Sequence, residues 1–242
     1  MAATEEQAIQ SVWTRPRRKR DQPALSQAQI VAEAVRILDV EGVDALSMRR
    51  LGTALNAGAT SLYRHVANRD ELIELVVDEV HGEIALPDGD DPERWREAAV
   101  IGARSVRAMI LRHPWVASLL GSVGLSYLGP NVMRLNERLL AVFVTAGFPG
   151  DEAEQAISSV MAYVIGMGTS EAAWLTTIAK SGKSEREWAE QLRPAVEAAV
   201  REHPHQRERI AQGDVDPERV REEKFRYGLD RMLDGLETRL KR

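Results

Sequence analysis

The chain has 242 residues, 44% hydrophobic and 29% charged, with a formal net charge of −5. This is the composition of a folded globular protein and excludes a disordered, collagenous or low-complexity chain. No apolar run approaches the ~20 residues of a bilayer-spanning helix, and the lack of cysteine excludes disulfides, thiol nucleophiles and thiolate metal sites. The polar, acidic stretch from Met1 to Gln10 has no apolar signal-peptide core, so a cytoplasmic location is expected. The 27 arginines against 5 lysines suggest a GC-rich bacterial genome. Charge is uneven: residues 1–69 hold 10 Lys+Arg and 7 Asp+Glu, a net of +3, and the remainder is −8. A basic end on an acidic protein points to a polyanionic partner, although chance clustering gives the same pattern.

The pattern predicts an all-α protein. Residues 1–24 form an arm containing the self-repelling cluster Arg15 to Arg20, with Arg17 and Arg18 as candidate phosphate contacts. A first helix starts at Ser26, which has capping-box spacing with Gln29, and stops at Gly42. Ile30, Ala34, Ile37 and Leu38 share one of its faces. A short second helix follows from Ser47 to Leu55, then a tight turn at Asn56-Ala57-Gly58. Gly58 suits either a positive φ or a cap on the third helix, residues 59–66. Asn68 and Glu71 repeat the capping spacing and open a fourth helix to about Ile84. The run Leu86 to Pro92 breaks the pattern and divides a smaller N-terminal unit, 25–86, from a larger helical unit, 87–242. Helices are expected there near 93–112, 115–124, 130–147, 151–178, 185–202 and 217–240, with a polar loop at 203–216.

A short helix, a tight turn and a second short helix make a helix-turn-helix, whose second helix enters the DNA major groove. Arg49 and Arg50 open the first of these helices, within reach of phosphate. Ala59, Thr60, Ser61, Tyr63, Arg64 and His65 line the second. Small residues at its start permit close approach. Tyr63 and His65 are suited to phosphate oxygens, which fix position, and Arg64 to a base edge, which reads sequence. Arg69 adds a cation beside free backbone N–H groups, the makings of a phosphate clamp. The same residues also fit a blander reading, with Tyr63 as half-buried core and the arginines as solvated surface.

The stretch from Ile30 to Leu75 resembles the DNA-binding region of the TetR (tetracycline-repressor) family. The likeness lies in the helix ending at Gly42, in Leu46-Ser47-Met48-Arg49-Arg50-Leu51, and in Ser61-Leu62-Tyr63-Arg64-His65-Val66 followed by Asn68-Arg69. Asn56 stands where the family most often has glycine; asparagine tolerates the left-handed conformation. The closing segment from Phe225 to Glu237 is similar to the ligand-binding half of the family's tetracycline-repressor branch.

The resemblance implies a homodimeric regulator, most often a repressor, that releases a palindromic operator when a small hydrophobic effector binds the C-terminal unit. It implies a four-helix dimer interface carrying Ile157, Val160, Val164, Phe225, Leu229, Met232, Leu233 and Leu236, although these apolar stripes fit an intramolecular core equally well. Met109, His113, Trp115, Leu119, Tyr127, Leu135, Phe143, Met161, Tyr163, Met167 and Trp174 supply the soft surface of an effector pocket. His113 falls where tetracycline-binding members place a magnesium-ligating histidine. Ala85 and Ser170 replace two other residues of that site, with Glu171 adjacent to the second, so a tetracycline–magnesium ligand is not expected.

No cofactor, metal site or enzymatic chemistry is expected. Gly182-Lys183-Ser184 ends like a phosphate-binding loop, but Thr177 occupies the required upstream glycine position. Gly121-Ser122-Val123-Gly124 has the wrong spacing for a nucleophile elbow, and His203 with His205 lacks a third zinc ligand. The competing reading is an all-helical small-molecule carrier whose basic arm serves solubility.

Overall fold

The computed structural model describes residues 25–119, 129–211 and 216–240. Arg17, Arg18 and Tyr127 lie outside them. Among the described residues every regular element is helical. The N-terminal unit consists of α1 (Gln27–Glu41), α2 (Met48–Ala54), α3 (Ala59–Tyr63) and α4 (Arg69–His81). The larger unit adds α5 (Trp95–Arg112), α6 (Val116–Leu119), α7 (Pro130–Thr145), α8 (Gly150–Ser181), α9 (Glu185–Ala199), α10 (Pro204–Ala211) and α11 (Pro217–Leu240). No helix among the described residues is long and apolar enough to cross a membrane.

The start and stop signals act as the sequence suggests. At α1 the Ser26 hydroxyl accepts from the Gln29 N–H at 3.2 Å, and the Gln29 side chain accepts from the Ser26 N–H at 2.9 Å. Gly42, at φ 82°, ends the helix. The α2–α3 turn takes the second of the two alternatives: Asn56 has the positive φ, 48°, while Gly58 is extended and caps α3. One 3₁₀ turn, Val43–Ala45, appears between α1 and α2, and the expected loop at 203–216 instead carries α10. Pro204 opens that helix, where its fixed φ is already helical and its missing N–H costs nothing.

One apolar core runs from Ile30 on α1 through α4, α5 and α8 to Leu233 on α11. α8 is its spine: 32 residues, about 48 Å at ~1.5 Å per residue, with α5, α7 and α11 packed along it. Trp95, Phe143 and Phe148 close one end, with ring centroids 5.5–5.8 Å apart. Tyr163 stacks on Phe225 and donates to the Phe225 carbonyl at 3.0 Å. A Cβ at Gly228 would overlap the Tyr163 ring, so glycine is what lets α11 lie this close to α8.

Several contacts join α4 and its following segment to the larger unit, two of them at α7. The Asp78 carboxylate accepts from the Asn131 and Val132 N–H groups at 2.9 and 3.0 Å, capping the start of α7. Leu86 is buried against Leu135 and Leu139, and its carbonyl accepts from Arg138 at 3.3 Å.

Candidate nucleic-acid interface

Leu62 is the buried anchor of α3. At 100° per residue, Thr60 and Arg64 fall almost opposite it, and both are exposed. Ser61 and Tyr63 flank them, with Tyr63 52% exposed. These four side chains, with exposed Ala59, form the outward edge of the reading helix. An open groove of about 640 Å³ lies between α2 and the start of α3, lined among others by Met48, Arg49, Thr53, Ala59 and Tyr63. Gly52 sets the spacing behind it. A Cβ there would meet the Ala57 carbonyl at 2.9 Å and Leu62 Cδ1 at 3.4 Å, so any larger residue pushes the turn and α3 away from α2.

Several sequence expectations change on inspection. Arg50 is turned inward to Glu41 on α1, with Nε at 3.2 Å and NH2 at 2.5 Å from its carboxylate oxygens. The bond to Arg50 lowers the Glu41 pKa, and that to Glu41 raises the pKa of Arg50. Arg69 is a brace: it donates to the Leu46 and Val43 carbonyls at 3.2 and 3.3 Å, fixing the start of α4 to the chain entering α2. The N-terminus of α4 is capped by Asn68 and carries Asp70 and Glu71 in its first turn. His65 is half-buried, and its carbonyl accepts from the Gln27 side chain at 3.1 Å. Arg49 remains exposed beside the groove. Gln27, Met48, Gly52 and Thr53 were missed because they acquire a place at this surface only through the turn geometry.

The expected effector residues are dispersed. Phe143 belongs to the aromatic end cluster, Tyr163 to the α8–α11 contact, and Met109 to the main core. His113 and Trp115 bond to Asp39 of α1. Leu135 packs with Leu86 and Leu139, and Met161 borders that cluster. Leu119 and Met167 are partly buried, and Trp174 is 38% exposed with its indole N–H donating to Glu185 at 2.9 Å. Glu171 is a half-buried ion: Arg107 grips it at 2.7 and 2.9 Å, and Arg221 reaches it at 2.9 Å. Burial works against the Arg107 charge, yet Glu171 and Glu222 raise its pKa on balance.

The dimer expectation is corrected in its residues. Val160, Val164, Phe225, Leu229 and Leu233 are 5% exposed or less and belong to the core of the single chain. Ile157, Met232 and Leu236 lie half-buried at the edge of that core. Glu154, Ser158, Ala162, Gly166 and Ser170 form an exposed stripe along α8, and Tyr227 and Arg231 are exposed on α11.

The two short helices, their glycine-tight turn and the outward Thr60–Arg64 edge define a helix-turn-helix regulator with a larger helical unit behind it. The family profile described as tetracyclin repressor-like, C-terminal domain, matches residues 86–240. An HTH-type transcriptional regulator of Saccharopolyspora erythraea is 39% identical over 173 residues, 71% of this chain and 72% of that one. The HTH-type transcriptional repressor DrrR1 of Streptomyces coeruleorubidus is 30% identical over 95% of this chain and 84% of its own. The crystal structure of the Streptomyces coelicolor TetR family protein ActR in complex with actinorhodin superposes with a TM-score of 0.71 at 31% identity, covering 91% of this chain and 100% of that one. The chain belongs to the TetR family of transcriptional regulators.

Proposed function

We propose that the protein is a cytoplasmic, non-enzymatic repressor that binds a palindromic DNA operator as a homodimer and releases it when a small hydrophobic molecule enters the helical unit beyond residue 86. The exposed Thr60–Arg64 edge carries this reading, since it aims a hydroxyl and a guanidinium away from the core on the one helix shaped for a major groove. A dimer supplies two such helices, and a palindrome requires them about 34–36 Å apart. Tyr63, Ser61 and Arg49 are assigned to phosphates, with Arg17 and Arg18 of the arm adding counterion release. The dimer surface is assigned to the outer stripe of α8 and to Tyr227 of α11, with Ile157, Met232 and Leu236 at its margin. Leu119, Met161 and Met167 are the half-buried apolar residues best placed to meet an effector. The repressor DrrR1 and the ligand complex of ActR support both halves of the reading.

The test is a gel-shift titration on the DNA upstream of the protein's own gene, with scrambled duplex as competitor. Saturable retention that resists the competitor, and is lost on adding a small hydrophobic effector such as actinorhodin, is the expected result. Retention lost equally to any duplex argues instead for a carrier protein with a non-specific basic arm.

A further inference from the structure

Met48 is the first residue of α2 and Ala59 the first of α3, and both line the open groove between these helices. The two starts are fixed: Ser47 caps one, accepting from the Arg50 N–H at 3.1 Å, and extended Gly58 caps the other. Met48 is half-buried and packs against the apolar core, which holds it in place. Five of the lining residues, Met48, Gly52, Ala57, Gly58 and Ala59, offer no strong hydrogen bond from a side chain. Thr53 lines the groove as well, but its hydroxyl donates to the Arg49 carbonyl of its own helix at 3.0 Å. A group seated on Met48 and Ala59 therefore meets methyl and thioether surface rather than donors.

A helix-turn-helix enters the major groove with the N-terminal residues of its second helix against base edges. Exposed Ala59 stands at that end of α3. The base edges of the major groove carry hydrogen-bond donors and acceptors, and one methyl group, at C5 of thymine. A donor or acceptor pressed onto Met48 and Ala59 loses its water and gains no partner, which costs free energy. A methyl group leaves water for an apolar surface, which is favourable. The polar Thr60 and Arg64 lie on the outer edge of α3, whereas Met48 borders the groove from α2.

We propose that Met48 and Ala59 together form an apolar seat for the C5-methyl group of one thymine in each half-site of the operator. This rests on the operator binding proposed above and names two residues that set its sequence preference. The start of α2 is then a reader of bases and not only a support for α3. The preference at this position depends on a methyl group alone. Base-paired uracil keeps every hydrogen bond of thymine and lacks only that methyl, and 5-methylcytosine supplies the methyl on a different base pair.

The probe is a duplex recovered by random-site selection with the full-length protein, in which each thymine of the half-site is replaced in turn by uracil. Competition titrations should find one position per half-site where uracil costs about fourfold in specific affinity, and about fifteenfold with both half-sites substituted, the worth of burying one and two methyl groups. A cytosine–guanine pair placed there should bind about fourfold more tightly when the cytosine carries a 5-methyl group. Met48→Ala should erase both discriminations, whereas a merely structural Met48 would lower affinity for the thymine and uracil duplexes alike. Ala59→Gly, at an exposed position, makes the same test if Met48→Ala does not fold. Uracil tolerated at every position, no gain from the 5-methyl group, or discrimination that survives both variants overturns the seat. Discrimination kept in both variants and lost in Thr60→Ser puts the methyl on the outer edge of α3, which overturns it too. A chain that recovers no duplex overturns the operator reading and the seat with it, while a recovered duplex indifferent to uracil overturns the seat alone.

Discussion

Asp78→Ala removes the acceptor through which α4 caps α7, and the size of the loss follows from its bonds. Its carboxylate takes the Asn131 and Val132 N–H groups at 2.9 and 3.0 Å and the Asn131 side-chain amide at 3.0 Å. Losing an N-cap acceptor costs about 0.5–2 kcal/mol, and losing a carboxylate at a helix N-terminus about 0.3–1 kcal/mol more. Two backbone donors depend on Asp78 rather than one, which places the total near 2–3 kcal/mol. In a chain of this size that lowers Tm by about 4–12 °C. Asp78→Asn keeps one carbonyl acceptor and should recover about half of the loss. Gly129→Ala should break the same latch from the other side, because its Cβ would overlap the Asp78 carboxyl. Urea unfolding followed by both circular dichroism and tryptophan fluorescence measures all three variants. A stability for Asp78→Ala within about 0.5 kcal/mol of wild type refutes the latch, since that is the scatter of an uninvolved surface change.

Arg64→Ala should cost about 1–3 kcal/mol on a selected operator, the worth of one good base contact, and much less on scrambled DNA; competition titrations separate the two. Gly52→Val should abolish specific retention while leaving most of the helical circular dichroism, because it displaces the turn and the Leu62 end of α3 and leaves the core along α5, α8 and α11 untouched. Glu222 is held below the usual carboxylate range chiefly by its bond to Arg107. A carboxylate depressed in the folded state adds stability above its unfolded pKa and loses it as pH falls through the folded one. The stability gap between wild type and Glu222→Gln should therefore be present at neutral pH and vanish well below the carboxylate range, as read by urea titrations across pH. Removing residues 1–20 should shallow the salt dependence of DNA binding, which filter binding at graded salt detects.

The helix ends were legible because their causes are local. Ser26 with Gln29, Gly42, and Asn68 with Glu71 act within one turn, and periodicity marked Ile30, Ile37 and Leu62 as inward-facing. The reading edge was legible for the same reason, since Thr60 and Arg64 are placed by their distance from Leu62. What sequence could not supply was the identity of partners far along the chain. Asp78 meets Asn131 across 53 positions, and His113 meets Asp39 across 74. Arg50 and Arg69 looked free because Glu41 and the carbonyls of Val43 and Leu46 come to them only when α1, α2 and α4 pack. Apolar stripes on α8 and α11 gave periodicity without direction. The chain buries Val164 and Leu229 in its own core and leaves Ala162 and Tyr227 outside.

Random-site selection with the purified full-length protein tests the central claim most directly, because it asks whether α3 reads sequence at all. The account predicts enrichment of a palindrome whose half-site centres lie about one helical turn apart, and loss of one defined base preference in each half-site with Arg64→Ala. Enrichment of no motif, or a motif that Arg64→Ala and Gly52→Val leave unchanged, would contradict it.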